Sequence, residues 1–255
     1  MKNMLKKYGI DGIYIIHAKK GYEKHEERIR KLFDEYGFEY EFVTEGDPSL
    51  FHSIDLSLYF TSDFLNKMSN PTISCTLNHL MCYEQIASNK NNLVLVFEDD
   101  PIFLGDFISK IQKIIKEVKL LEKGFIVSLE GTTQKFPSYW QTKRGKNLYK
   151  AKGSRCAGAY LIDITAVKSI LNYLENNKCN LPIDWWQNLL IQKNVISMYW
   201  AHPPLVEQGS HNGLLSSTIS TRQNGLGRRI KWKIQKIYKK YIRRLFSQSL
   251  INSNN

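Results

Sequence analysis

Long apolar runs are absent from the sequence. None approaches the roughly 20 residues that a membrane-spanning helix needs, and the apolar stretch nearest the N-terminus, 13–16, is too short for the core of a signal peptide. We therefore expect a cytoplasmic protein. Hydrophobic residues still make up 42% of the 255 positions, which is enough to bury the core of one large domain.

The sequence also lacks the cysteine patterns of a disulfide framework. Its four cysteines, Cys75, Cys82, Cys156 and Cys179, include no Cys-x-x-Cys pair, so reduced thiols are expected. Cys75, His79 and Cys82 share one face of a predicted helix, which raises the possibility of zinc. Three ligands along one helix with no fourth nearby in sequence do not make a structural zinc site, so small buried thiols are the favoured interpretation.

Acidic residues are missing from 222–244, a segment that carries ten lysines and arginines. The net charge is +12, and subtracting these ten leaves +2 for the rest of the chain, so the basicity is local. A helix over 227–246 would place five apolar residues near one face: Ile230, Ile234, Ile237, Tyr241 and Leu245. This pattern predicts a helix lying on an anionic membrane surface. A nucleic-acid-binding arm is the competing interpretation.

The body of the chain has the alternating strand and helix patterns of an α/β fold. A buried strand at 12–17, an amphipathic helix at 22–36 and a strand at 38–43 form a βαβ unit. Further strands are predicted at 93–97, 125–130, 156–163 and 195–200. Further helices are predicted at 74–88, 106–122, 165–176 and 181–193, with short helical pieces at 50–68 and a break at Asn70-Pro71. We predict a catalytic domain over 1–220 and a basic tail over 221–255.

Three adjacent carboxylates, Glu98, Asp99 and Asp100, follow the buried strand at 93–97. They repel one another, and a divalent metal holding a polyphosphate would compensate them, because hard oxygen ligands suit Mg2+ or Mn2+. Ligands of α/β proteins bind at the carboxyl ends of strands, and the strand ends near His17 and Glu130 are expected to face the same crevice. The alternative is a helix starting at Asp100-Pro101.

The segment 132–152 carries aromatic residues among polar ones without a clear period. It is predicted to be either a binding loop or a β-hairpin packed on the body. Lys143 and Arg144 in this segment are interpreted as solvated surface charges.

Six segments resemble glycosyltransferase family 25, the group that includes bacterial lipooligosaccharide galactosyltransferases. They occur in the family's order: 14–16, 74–79, 94–100, 158–162, 182–184 and 204–208. The resemblance covers about residues 10–220. It implies a GT-A type fold with a mixed, mainly parallel sheet, a nucleotide-sugar donor (most often UDP-galactose), Mn2+ or Mg2+, and inversion at the anomeric carbon. A lipid-linked or lipopolysaccharide acceptor and the basic tail together imply a peripheral position at the inner membrane.

Site residues follow from the acid run and from this resemblance. Asp100 and Glu98 are expected metal ligands, with His211 favoured over His202 as a third. The expected donor contacts are Ile16, His17, Arg28, Asn78, His79, Glu98 and Asp99. The family pattern at these positions usually has an Asn-Leu and an Arg after the first strand, and a Ser before the His.

A general base for the acceptor hydroxyl is also needed. Asp184 is the first choice and Glu130 the second, although Asp184 could instead cap a helix, and the two tryptophans that follow it could stack on a sugar ring. The alternatives to a transferase are a metal-dependent nuclease, which would need a basic groove beside its acids, and a non-catalytic sugar-binding protein.

Overall fold

The computed structural model describes residues 5–212 and 234–244. The strands are β1 (Gly12–Ile16), β2 (Glu41–Val43), β3 (Leu93–Glu98), β4 (Pro101–Phe103), β5 (Phe125–Ser128), β6 (Leu148–Ala151), β7 (Ala159–Asp163), β8 (Ser197–Ala201) and β9 (Val206–Gln208). The α-helices are α1 (Glu23–Glu35), α2 (Ser62–Lys67), α3 (Asn70–Ser88), α4 (Phe107–Val118), α5 (Ile164–Asn176), α6 (Ile183–Gln192) and α7 (Gly209–Asn212).

In the described part of the chain, seven strands form one sheet in the order β2-β1-β3-β7-β5-β8-β6. Five of them run in one direction, while β7 and β6 run against their neighbours. Strands β4 and β9 form a separate antiparallel pair. The predicted α/β class, with a mixed and mainly parallel sheet flanked by helices, is therefore confirmed.

Strand β3 is buried on both faces, as its unbroken apolar run predicts. Val94 and Val96 belong to the core that packs under α3, α5 and α6. Leu95 and Phe97 belong to the opposite core, which α1 and α4 cover. The central strand thus holds two helical layers together, and its carboxyl end carries the three acids.

The chain is extended at Met68 and Ser69, between α2 and α3, so the predicted break at Asn70-Pro71 lies two residues late. Helix α3 itself begins at Asn70, so its predicted start at Ser74 is wrong. Pro71 lies in the first turn of the helix, where its missing N–H is not needed and its fixed φ favours the helical conformation. Ser74, where the helix is predicted to start, is consequently a buried residue one turn inside it. The extra turn places Pro71 in the lining of the cleft that Ile16 and His17 also line.

The residues after the acid run form β4, which pairs with β9 through Pro101 opposite Gln208. The alternative of a helix starting at Asp100-Pro101 is therefore wrong, because this backbone is extended and its ladder partner lies in the segment after β8. The segment after β8 contains β9 and α7. The end of the 132–152 segment joins the edge of the main sheet as β6.

The described part of the tail is helical over 234–244 and is attached to the body at two points. Lys236 forms an ion pair with Glu207, and Arg244 Nε donates to the Pro137 carbonyl at 2.7 Å. Ile234, Ile237 and Tyr241 are exposed. The remaining predicted apolar positions, Ile230 and Leu245, and the predicted domain boundary at 220/221 lie outside the described residues. Within 5–212 and 234–244, no helix combines the length and apolar content needed to cross a membrane.

Candidate functional site

The carboxyl ends of β1 and β3 place the N-terminal loop beside the acid run. The two strands are parallel neighbours, with Ile16 opposite Glu98. His17 therefore follows β1 where Asp99 follows β3, and His17 Nδ1 lies 2.8 Å from Asp99 Oδ2. His17 and Asp99 are distant in sequence but lie at the same edge of the sheet. The strand patterns predict this edge.

On one side of the acid run, three basic side chains form hydrogen bonds with Asp99. His25 Nδ1 lies 3.3 Å from Asp99 Oδ1, and Arg28 donates to the carbonyls of Asp99 and Pro101. Burial raises the pKa of Asp99, but the hydrogen bonds with His17 and His25 outweigh this and hold it below its usual value. Asp99 is therefore an ionised carboxylate with fixed partners.

Glu98, Asp100 and Glu130 form a second group of carboxylates on the other side. Burial and then Glu98 raise the pKa of Asp100 to about 6. Burial raises the pKa of Glu130 to about 8, with contributions from Asp100 and Glu98 and against the hydrogen bond from Thr132. Among the described residues, the buried atoms Asp100 Oδ1 and Glu130 Oε1 have no hydrogen-bond partner. A divalent cation would compensate the negative charge of these carboxylates and would coordinate the two unpartnered oxygens.

Gln208 connects the carboxylates through short hydrogen bonds. Its Nε2 donates to Glu98 Oε2 at 2.6 Å, and its backbone N–H donates to the Thr132 hydroxyl at 2.8 Å. That hydroxyl donates to Glu130 Oε2 at 2.6 Å. A Cβ at Gly158 would lie 2.5 Å from Gln208 Nε2 and 2.6 Å from Glu130 Oε1, so this close approach requires glycine.

The N-terminus of α7 contacts Asp100. Ser210 N–H donates to Asp100 Oδ2 at 3.0 Å, and Gly209 N–H donates to the Asp100 carbonyl at 2.8 Å. His211 lies in α7, but its side chain lies outside the described part of the structure. The other candidate, His202, packs against the rings of Phe136 and Tyr149.

A cleft of about 230 Å3, which we name cleft 1, opens between β1, α3 and the acid run. Five of the predicted donor residues line it: Ile16, His17, Asn78, Glu98 and Asp99. Lys20 and Tyr22 line it as well, although sequence reasoning did not select them. Lys20 is exposed and offers a cation, while burial and then Asp99 raise the pKa of Tyr22 to about 12.

The other predicted donor residues lie behind the wall of cleft 1. Arg28 is committed to backbone carbonyls, as described above, and His79 is fully buried with its Nδ1 2.8 Å from the Tyr160 hydroxyl. Asn78 lines the cleft but also joins two loops, accepting from Gly46 N–H at 2.7 Å and donating to the His17 carbonyl at 3.2 Å. Arg28, His79 and Asn78 thus hold the shape of the site.

A second cleft of about 190 Å3, cleft 2, lies between α3, the loop before β7 and the start of α6. Asp184 lines it from the first turn of α6, where its Oδ1 accepts from Trp185 N–H at 3.0 Å. The N-cap position is Pro182, so Asp184 is not the capping residue. Burial and then Glu98 raise its pKa.

The two tryptophans after Asp184 have different environments. Trp185 is 62% exposed, whereas Trp186 is 0% exposed and packs in the core. The expectation that both could stack on a sugar is therefore wrong for Trp186. Helical periodicity predicts the burial of Trp186, because this residue shares the buried face of α6 with Ile183 and Leu190.

Clefts 1 and 2 meet at the acid run, because Cys75 and Glu98 line both of them. One cleft presents Lys20 and the histidine-bound Asp99, and the other presents Asp184. Two ligands bound in these clefts would approach each other at Glu98. This arrangement suits a reaction between two substrates.

Comparison with known proteins agrees with this geometry. Residues 10–186, more than half of the chain, match the sequence profile of "Glycosyltransferase family 25 (LPS biosynthesis protein)". The chain is also 23% identical over 167 residues to a Haemophilus influenzae protein described as "Putative glycosyltransferase"; the match covers 64% of this chain and 57% of that protein's length. The matched region contains α3, the acid run and the first residues of α6. The chain belongs to glycosyltransferase family 25.

Proposed function

We propose that the protein transfers a sugar, galactose from UDP-galactose as the first candidate, to a hydroxyl group of a lipid-linked or lipopolysaccharide glycan. The observation that carries this proposal is the meeting of clefts 1 and 2 at Glu98. A donor in cleft 1 and an acceptor in cleft 2 would bring the anomeric carbon and the attacking hydroxyl together at that point.

The donor diphosphate is assigned to cleft 1. Lys20 provides a cation at its mouth, and Asn78 and the backbone around His17 form its wall. The ionised Asp99 accepts hydrogen bonds from His17 and His25, which occupy both of its carboxylate oxygens.

Asp100 and Glu98 are the proposed ligands of Mn2+ or Mg2+, with His211 as the third. The unpartnered Asp100 Oδ1 and the three crowded carboxylates support this donor set. When bound, the metal supplies positive charge for the leaving diphosphate. Gln208 and Ser210 fix the orientation of the two ligand side chains.

Asp184 is the proposed general base. It removes the proton from the acceptor hydroxyl while the oxygen forms a bond to the anomeric carbon; the bond from that carbon to the diphosphate oxygen breaks, and its electron pair leaves with the nucleoside diphosphate. Attack from the face opposite the leaving group inverts the anomeric carbon. A raised pKa makes Asp184 a stronger base than an exposed aspartate. Glu130 is fully buried behind Gln208 and lines neither cleft 1 nor cleft 2, so we assign it to support Gln208.

The exposed helix 234–244 is the proposed contact with the membrane. Ile234, Ile237 and Tyr241 are exposed along it, and the segment 222–244 carries ten basic residues. Apolar insertion and attraction to anionic lipids would place cleft 2 near a lipid-linked acceptor.

The test is the release of nucleoside diphosphate from UDP-, GDP- and CMP-sugars with Mn2+ and lipooligosaccharide acceptors. We expect turnover with one donor class and a loss of roughly 10²- to 10⁴-fold in kcat for Asp184→Asn. Asp63→Asn, which changes an exposed acid on α2, is the matched control and should keep full activity. No release with any donor would contradict the proposal, as would normal turnover by Asp184→Asn.

A further inference from the structure

Cys75, His79 and Glu98 converge where clefts 1 and 2 meet. Cys75 Sγ lies 3.8 Å from Glu98 Oε1, and His79 Nε2 lies 3.5 Å from the same oxygen. One ligand atom from each residue lies within 4.8 Å of the other two. Thiolate sulfur, imidazole nitrogen and carboxylate oxygen are the three ligand types that Zn2+ accepts.

Hydrogen bonds fix the orientation and the tautomer of His79. The Tyr160 hydroxyl donates to Tyr83 Oη at 3.1 Å, so its oxygen accepts from His79 Nδ1–H at 2.8 Å. The proton is therefore on Nδ1, and the lone pair of Nε2 points toward Glu98. His79 is fully buried, and its Nε2 has no hydrogen-bond partner among the described residues. Histidine ligands of metals are commonly oriented in this way through their other ring nitrogen.

Helix geometry explains why Cys75 and His79 act together. They are four residues apart on α3 and so lie on one face of the helix, while Glu98 approaches from the end of β3. Cys82, which the sequence pattern groups with them, is fully buried in the core under α3 and lies outside this cluster. The third ligand is thus the distant Glu98.

We propose that Cys75, His79 and Glu98 bind a thiophilic divalent cation such as Zn2+. Three protein ligands leave a fourth coordination position open, and two of the three, Cys75 and Glu98, line both clefts. Binding displaces the thiol proton of Cys75 to solvent and forms a metal–sulfur bond. The site differs from the Mn2+ or Mg2+ site proposed at Asp100 in its soft ligands, and it shares Glu98 with it. An ion at this position would lie between donor and acceptor.

Co2+ is a suitable probe because cobalt–thiolate coordination gives a charge-transfer absorption in the near ultraviolet. Co2+ is titrated into the untagged, reduced full-length protein, and the band is then displaced with Zn2+. We expect a thiolate band that excess Mg2+ does not remove and that is lost in Cys75→Ser. Cys156→Ser is the matched control, since Cys156 also lines cleft 2 but is outside the cluster, and it should keep the band.

Absence of the band in the wild type would overturn the proposal, as would its retention in Cys75→Ser or its equal loss in Cys156→Ser. His79→Gln should also lose the band, and far-ultraviolet circular dichroism establishes whether that variant is folded. Cys75 is only partly buried, so Cys75→Ser decides the outcome by itself. The readout needs no sugar transfer, and failure of the proposed activity is therefore distinguishable from failure of this site.

Discussion

Gly158→Ala tests the packing that holds the carboxylates in place. The added Cβ would lie 2.5 Å from Gln208 Nε2 and 2.6 Å from Glu130 Oε1, whereas ordinary contact begins at 3.4 Å. Both neighbours are buried, so Gln208 must withdraw from Glu98. Overpacking of this kind lowers the free energy of unfolding by about 1–3 kcal/mol. The alanine also lowers the entropy of the unfolded chain, which raises the free energy of unfolding by only about 0.4–1 kcal/mol. The middle of each range gives an expected net loss of about 1.3 kcal/mol in unfolding free energy.

Urea denaturation measures this loss, and the apparent Tm should fall by about 2–4 °C per kcal/mol for a chain of this size. Gly153→Ala is the control, because its Cβ would meet only the end of the Asn188 side chain at 3.1 Å. We expect that variant to change stability by less than about 0.5 kcal/mol. Equal stability of Gly158→Ala and wild type would refute the reasoning, because it would mean that Gln208 and Glu130 do not occupy these positions.

Three further predictions concern the base, the buried acid and the tail. Asp184→Asn should lower kcat while leaving donor affinity within about twofold of wild type, since it removes only the proposed base; a large loss of donor binding would argue against this role. Glu130 has an ordinary pKa of 4.5 and a pKa of about 8 in the fold, so the native state keeps a proton that the unfolded chain releases, and stability falls as pH rises between these values. In metal-free protein, Glu130→Gln should therefore gain stability relative to wild type from pH 5 to pH 8, and an unchanged difference in urea midpoints would contradict this. Ile237→Asp should weaken sedimentation with anionic vesicles by at least threefold, whereas binding equal to wild type would remove this helix as the membrane contact.

The sequence predicts the framework of the site well, because strong local patterns encode it. Buried runs give β1 and β3, and the acid run marks the carboxyl end of β3. The parallel pairing of these strands then brings His17 to Asp99. Alternation along an extended backbone also accounts for Glu98 and Asp100 on one side and Asp99 on the other.

The remaining site residues have no local signal. Gln208 reaches Glu98 across 110 positions and Thr132 across 76, so only the tertiary fold brings them together. Glycine is required at position 158 because neighbouring side chains approach its backbone closely, and not because a turn needs its conformational freedom. His25 is placed on α1 by a helical pattern that sequence reasoning identifies, but its contact with Asp99 depends on how α1 packs on the sheet.

The predicted start of α3 is an error with a local cause. Asn70-Pro71 breaks the apolar pattern before α3, yet Pro71 is favourable in the first turn of a helix. Cys75, His79 and Cys82 share a helical face by spacing, but the face is wide enough for Cys82 to point into the core while Cys75 borders the clefts. Family membership also removes the support for a nuclease, which rested on the acid run and the basic tail alone.

The central claim is that cleft 1 binds a nucleotide-sugar together with a divalent metal at the acid run. Isothermal titration tests it directly, using the donor that stabilises the protein best among UDP-, GDP- and CMP-sugars, with Mn2+ or with chelator. The account predicts at least tenfold tighter binding with Mn2+ and loss of this gain in Asp100→Asn. Equal affinity with and without Mn2+, or an undiminished gain in Asp100→Asn, would contradict it.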